Sequence, residues 1–247
     1  MKKIVIFILG SAAVAGIVYA VIMKNREAAP VSREIGGVMV NFKNPKKSAH
    51  YESNTPEHGA VLAAAPVNVV IDFNFDLAGG SEISIINDSD GKEYGSRPTF
   101  ADPNKLAMRR SMDQSAPDGL YNIDYKACWP DGSCHTGNFQ FAIDRTMVSS
   151  YLDWRNKKEV AVVMSGIQFQ PANILINKGT KVIWKNEDSA IHYVNTDSHP
   201  AHTYYLEQNS QALNKGDSYE VTFNFPGVYP YHCSAHAGNM RGSIIVE

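Results

Sequence analysis

The chain has 247 residues, a formal net charge of -2 and 44% hydrophobic residues. This length is typical of two domains rather than one small domain. The balance of charges is slightly acidic and no run of Lys or Arg is present, which excludes nucleic-acid binding as a function.

The first segment, residues 1–27, is predicted to be a transmembrane signal anchor. Residues 4–23 carry no charge, and about 20 helical residues span ~30 Å, the thickness of the hydrocarbon layer of a membrane. Lys2 and Lys3 precede this run, so the chain after it is expected on the extracytoplasmic, or periplasmic, face of the inner membrane. The alternative is a cleaved signal peptide ending near Ala20, but the apolar run continues to Met23 and favours an anchor.

The remaining chain divides into a tether, two β domains and a linker. Residues 28–49 have no sustained periodicity and are predicted to be a tether. Residues 50–145 and 160–247 alternate apolar and polar residues with period two, which predicts half-buried strands. The polar residues 146–159 are expected to join the two domains, with a short helix as an alternative. The predicted fold class is therefore all-β, with two Greek-key β-sandwich domains behind the transmembrane helix.

The chain has three cysteines, Cys128, Cys134 and Cys233. In an oxidising compartment two of them are expected to pair. Cys128 and Cys134 are close in sequence and flank a Pro- and Gly-containing turn, so they are the predicted pair. Cys233 remains as a free thiol, and metal ligation would explain its presence in an exported protein.

The C-terminal hairpin carries a thiol, an imidazole and a thioether, on Cys233, His236 and Met240. Soft sulfur and imidazole ligands suit copper, and two imidazoles with a thiolate and a weak axial Met form a blue-copper electron-transfer site. The second imidazole must come from elsewhere in the chain. His192, just after a predicted strand, is the best candidate.

Residues 160–247 resemble the plastocyanin and pseudoazurin group of cupredoxins, which are small blue-copper electron carriers. The resemblance is carried by Trp184–Asp188 before the first His, Gly227–Tyr231 before the Cys, and Arg241–Val246 after the Met. It implies one type 1 copper with four ligands: His192, Cys233, His236 and Met240. The loop from Cys to Met is one residue shorter than in plastocyanins and one longer than in amicyanins, and Tyr193 stands where many members have Asn.

Other copper sites fit the sequence less well. A multicopper oxidase needs a His on each side of the Cys, but Ser234 follows Cys233. A binuclear purple site needs a second Cys in the loop, and a copper nitrite reductase needs a type 2 site that one cupredoxin domain is not expected to complete. His199 and His202 are interpreted as solvated loop residues, with a rim that accepts copper or a partner as the alternative.

Residues 50–145 resemble the CopC family of periplasmic copper-resistance proteins. The matching pieces are Asn54–Ala60, Asp118–Tyr125 and Asp131–Gly137. The resemblance implies a possible second copper, bound by His50, Asp131 and His135, although Ser133 occupies the usual His position. A remnant thioether site at two methionines of this domain, 108 and 112, is the weaker alternative to plain packing.

Together these patterns predict a membrane-anchored, extracytoplasmic copper protein that transfers one electron and is not an enzyme. The alternative is copper trafficking or resistance, in which the domains bind or hand over copper. The expected partners are redox proteins at the membrane or copper-handling proteins, with no nucleic acid.

Overall fold

The computed structural model describes residues 32–247. The predicted anchor and the first residues of the predicted tether lie outside the described residues. Within residues 32–247, no helix combines the length and apolar character needed to cross a bilayer.

The described part of the predicted tether contains regular structure. Strands β1 (Ser32–Ile35) and β2 (Val38–Asn41) form an antiparallel hairpin, and its turn has two glycines with positive φ. Ile35 and Phe42 are buried against Ala142 of the first domain. The alternation of apolar residues in this hairpin is too short to be recognised from the sequence. Burial of Ile35 and Phe42 against the first domain stabilises the hairpin.

The first domain is built from two four-stranded sheets. Its strands are β3 (Tyr51–Thr55), β4 (Val61–Leu62), β5 (Asn68–Phe73), β6 (Glu82–Asn87), β7 (Phe100–Ala101), β8 (Ala107–Ser111), β9 (Gly119–Cys128) and β10 (Cys134–Ile143). The orders are β3-β5-β8-β7 and β4-β10-β9-β6. Ile71 of one sheet and Ile123 and Phe141 of the other lie in one buried core, as expected for two sheets packed face to face. Cys128 and Cys134 face each other across β9 and β10 and form the predicted disulfide.

The second domain has a five-stranded and a four-stranded sheet. Its strands are β11 (Leu152–Asp153), β12 (Glu159–Met164), β13 (Phe169–Gln170), β14 (Asn173–Ile176), β15 (Thr180–Asn186), β16 (Asn195–Thr196), β17 (Ser218–Phe223), β18 (Gly227–His232) and β19 (Arg241–Val246). The orders are β11-β14-β19-β18-β16 and β13-β12-β15-β17. Trp184 of one sheet packs with Tyr231 of the other in the core. The prediction of two all-β domains is confirmed.

Two short 3-10 helices interrupt this pattern, at Arg145–Ser150 and Ser234–His236. The first follows Asp144, whose carboxylate accepts a 3.0 Å hydrogen bond from the Thr146 N–H and so caps the helix. This helix occupies the start of the predicted linker, where a short helix was the alternative. The second helix lies in the loop between β18 and β19.

The two domains share backbone hydrogen bonds. The Val228 N–H donates to the Ala65 carbonyl at 3.0 Å, next to a bridge between Pro66 and Val228. The buried Tyr204 hydroxyl accepts from the Val67 N–H at 2.8 Å and donates to the Val228 carbonyl at 2.6 Å. Strand β16 does not extend along the first residues of β18. First-domain residues pair with β18 there, and these hydrogen bonds hold the two domains together.

Candidate metal centres

The loop from β18 to β19 brings three predicted ligand residues close together along the chain. The His236 N–H donates to the Cys233 carbonyl at 2.9 Å, and the Met240 N–H donates to the His236 carbonyl at 2.9 Å. The Cys233 N–H then donates to the Met240 carbonyl at 2.9 Å. Cys233 and Met240 are fully buried, whereas His236 is partly exposed. These hydrogen bonds close the loop. Of its three predicted ligand residues, His236 is the one that reaches the protein surface.

The fourth predicted ligand residue, His192, is held by the segment that follows β15. Its backbone exchanges two hydrogen bonds with Leu213, of 3.1 and 2.9 Å. The side-chain amide of Asn186 donates to the carbonyls of Ala190 and Leu213, both at 2.8 Å. His192 is fully buried, so its position depends on the fold rather than on solvent.

Asp188 orients the His192 ring. Its carboxylate lies 2.8 Å from His192 Nε2 and accepts the Gly166 and Ile167 N–H groups at 2.8 and 3.0 Å. The Ile167 N–H, the His192 ring and the Gly166 N–H hold the pKa of Asp188 at about 2, so this carboxylate is charged. A charged acceptor keeps the proton of His192 on Nε2 and leaves Nδ1 free to bind a metal.

His192, Cys233 and His236 form a group that we call the thiol cluster. Cys233 Sγ lies 3.6 Å from His192 Nδ1 and 3.5 Å from His236 Nδ1, and all three ligand atoms lie within 4.8 Å of one another. For sulfur and nitrogen about 2.3 and 2.0 Å from one ion at a trigonal angle, the separation is roughly 3.7 Å. The thiol cluster therefore has the spacing of ligands around a single ion.

The backbone of Tyr193 supplies a further contact to the sulfur. Its N–H donates to Cys233 Sγ at 3.3 Å. This bond does not depend on the side chain, so the presence of Tyr instead of Asn leaves it in place.

A second group, His199, His202 and His232, also brings three ligand atoms to within 4.8 Å of one another; we call it the histidine cluster. The interpretation of His199 and His202 as solvated loop residues holds for His199 but not for His202, and both residues lie beside His232. His199 is exposed, His202 is partly buried and His232 is fully buried. The sequence interpretation missed His232, although its position next to Cys233 on a strand was a usable indication.

Polar partners surround the histidine cluster. His232 Nδ1 lies 2.9 Å from Asp197 Oδ1, and the Arg241 guanidinium lies 3.1 and 3.2 Å from the same carboxylate. Burial, followed by the neighbouring His232 and His199 rings, lowers the pKa of His202 to about 4, so His202 is neutral near pH 7. Neutral imidazole is the form that binds metals.

The structure places His50 and His135 beside Trp129, with ring centroids 5.5 and 6.0 Å from it, but their ligand atoms and those of Asp131 are not gathered within 4.8 Å of one another. His50 stacks on Phe75 at 4.9 Å between ring centroids. The Asp131 carboxylate accepts the N–H and the hydroxyl of Ser133 within the turn, at 2.9 and 2.7 Å. Among the described residues, this set is absent from the groups with three ligand atoms within 4.8 Å.

The sequence offered a thioether metal site at two methionines of the first domain as the alternative to plain packing. Met108 and Met112 are both buried in the core of that domain. Their burial fits plain packing, because an unbranched thioether side chain fills irregular gaps well.

Comparison with known proteins finds two family models. Residues 157–247 match the model described as copper binding proteins, plastocyanin/azurin family, and residues 51–144 match the CopC domain. Amicyanin-alpha of Methylorubrum extorquens is 33% identical over 86 residues, which cover 35% of this chain and 70% of the amicyanin. Plastocyanin A/B of Petroselinum crispum is 30% identical over 87 residues, covering 33% and 90% of the two chains. The crystal structure of CopC from Methylosinus trichosporium has 22% identity and a TM-score of 0.35, and the match covers 40% of this chain and 94% of that one.

Proposed function

Because the chain belongs to the plastocyanin/azurin family of copper-binding proteins through its C-terminal domain, preceded by a CopC domain, we propose that it transfers single electrons through a type 1 copper site. Copper is its cofactor, and the protein is a cupredoxin rather than an enzyme. The proposed ligands are His192, Cys233, His236 and Met240.

One observation carries this proposal: a fully buried thiol faces two imidazole nitrogens at 3.5 and 3.6 Å. Buried Cys and His with a Met from the same loop match the donor set of a blue-copper site. A closed tetrahedral zinc site takes four Cys, His or carboxylate ligands. The buried Met240 does not fit that set.

Copper in such a site supplies a Cu(I)/Cu(II) couple. The chain holds the ligands in place before and after the electron moves, because Asp188 and Leu213 position His192 and the hydrogen-bonded loop positions Cys233 and His236. The side chain of Cys233 links the copper site to the polypeptide through covalent bonds, along which an electron can pass. His236 is partly exposed and is the proposed point where electrons enter or leave.

The disulfide and the two families indicate an extracytoplasmic location. Within that location we propose that residues 1–27 anchor the chain to the membrane, on the basis of their charge-free run. The proposed partners are redox proteins at the same membrane. A tethered carrier meets such partners at a raised local concentration.

Copper loading of the full chain, purified in a mild detergent, tests this function. We expect one strongly absorbing blue centre per chain and a reversible one-electron couple by voltammetry. Cys233→Ser should abolish the blue absorption, whereas Ser234→Ala, a change at the neighbouring residue, should retain it. A wild-type protein that binds copper without blue absorption would contradict the proposal.

Copper trafficking or resistance is the second candidate function, and the match to a CopC domain favours it. In this case the chain would deliver copper rather than electrons. Competition with a strong copper chelator separates the two: a carrier should retain the blue copper over many redox cycles, and a trafficking protein should release it readily.

A further inference from the structure

The ring nitrogens of the histidine cluster have the spacing of ligands on one ion. His232 Nε2 lies 3.2 Å from His202 Nε2 and 3.3 Å from His199 Nδ1. Two imidazole nitrogens about 2.0 Å from a metal at a tetrahedral angle are roughly 3.3 Å apart. The three rings therefore need little rearrangement to bind a metal.

The cluster also has the outer hydrogen bonds typical of a metal site. Asp197 accepts from His232 Nδ1, which places the lone pair of this ring on Nε2, facing the other two rings. Arg241 pairs with the same carboxylate and holds it beside the His232 ring. The carboxylate and the imidazole together raise the affinity of Nε2 for a cation.

The loop that carries His199 and His202 is anchored to the first domain. Arg109 of strand β8, which is buried and paired with Asp102, donates to the carbonyls of Thr203 and Tyr204 at 2.9 and 3.3 Å. Anchoring at these carbonyls restricts the movement of the two imidazoles. A site built from pre-positioned ligands loses less entropy when it binds a metal.

We propose that His199, His202 and His232 bind a second copper ion. Imidazole ligands suit several metals, but among divalent ions of the first row Cu(II) binds a given nitrogen site most tightly. Three protein ligands leave one coordination position open, as in metal sites that accept an outside ligand. His199 and Arg241 line a cavity of about 330 Å³ between the domains, so one ligand of the cluster borders a space open to solvent.

The two sites are joined by one peptide bond. His232 belongs to the histidine cluster, and the next residue, Cys233, belongs to the thiol cluster. We infer that His232 and Cys233 would carry one electron between copper ions held at the two clusters, so that one ion would be oxidised by one electron as the other is reduced. Metal binding by the histidine cluster is independent of the proposed function, whereas the electron transfer rests on it.

Copper counting combined with electron paramagnetic resonance tests the second site. The full chain, titrated with Cu(II), should hold two copper ions, one blue and one with a non-blue, nitrogen-ligated signal. His199→Ala/His202→Ala should hold one copper and stay blue, and the blue absorption itself reports that the second domain has folded. The single change His199→Ala, at an exposed position, should lower the affinity for the second copper at least tenfold. His58→Ala is the matched control, because His58 lines the same cavity outside the cluster.

The outcomes distinguish the two proposals. A wild-type protein with one blue copper and no second signal overturns the second site and leaves the proposed function standing. A non-blue copper that persists without any blue absorption overturns the proposed function and supports the second site. Zn(II) that displaces Cu(II) from the cluster at equal concentrations would overturn its assignment to copper.

Pulse reduction of the fully oxidised protein tests the link between the sites. We expect the blue absorption to change in two phases, the slower one independent of protein concentration, because that electron moves within one chain. The slower phase should disappear in His199→Ala/His202→Ala and remain in His58→Ala. A single phase in a wild-type protein that holds both coppers would overturn the electron path.

Discussion

The Asp72 carboxylate of the first domain accepts a hydrogen bond of 2.6 Å from the Thr203 hydroxyl of the second domain. The same carboxylate accepts from the Ser198 hydroxyl at 2.8 Å and is almost fully buried. Both hydroxyls flank the segment with His199 and His202. The first domain therefore helps to determine where the imidazoles of the second domain lie.

Replacing Asp72 with Ala should weaken both the interface and the histidine cluster. The change removes the acceptor that Ser198 and Thr203 share, and a buried polar group that loses its partner costs about 1–3 kcal/mol of unfolding free energy. We expect a lower affinity for the second copper with unchanged blue absorption. Urea denaturation and a copper titration measure the two effects. Asp76→Ala, at an exposed position shortly after the same strand, is the control. Equal stability and equal copper affinity of the two variants would contradict the anchoring role of Asp72.

Replacing Asp188 with Ala should weaken copper binding at the thiol cluster. The His192 ring would lose the carboxylate that orients it, and loss of such an outer partner typically lowers metal affinity about 10–100-fold. Chelator competition monitored by the blue absorption gives the affinity. Glu187→Ala is the neighbouring control, because its partner Lys185 forms only an exposed ion pair. An affinity that stays at the wild-type value in Asp188→Ala would show that packing alone positions His192.

Removing the disulfide should destabilise the first domain without affecting the copper sites. Cys128 and Cys134 are six positions apart, and closing such a short loop stabilises a fold by about 2 kcal/mol in the chain-entropy account. We expect this loss in the variant Cys128→Ala/Cys134→Ser, measured by denaturant unfolding. Cys134→Ser alone, which keeps the buried Cys128 side chain, should show a similar loss. A loss confined to the double variant would instead assign the effect to packing of the Cys128 side chain.

Replacing His135 with Ala should leave the number of bound copper ions unchanged. His135 lies beside Trp129, with ring centroids 6.0 Å apart, and is exposed. Because His50 and Asp131 have other partners, the three side chains have no common ion to lose. Metal analysis of the copper-loaded variant and of wild-type protein checks this. One copper fewer in the variant would mean that the first domain holds a metal through His135.

The sequence alone determined the ligands on the loop after β18 and the disulfide, because the information for both is local. Cys233, His236 and Met240 lie on one short loop, and Cys128 and Cys134 flank one turn, so spacing and residue type predict what these groups do. His192 was also identified, from its place after a predicted strand in a segment that resembles a known family.

Only the tertiary structure decided which distant segments meet. His232 joins His199 and His202 because β18 and the segment after β16 converge, and Asp72 of the other domain holds that segment. The hairpin at residues 32–41 is stabilised by burial against Ala142, which no local pattern reveals. In contrast, His50 and His135 carry suitable ligand atoms but do not converge with Asp131 on one point. Metal sites require several side chains within a few ångströms of one position, and contacts between remote segments, rather than local sequence, determine whether that happens.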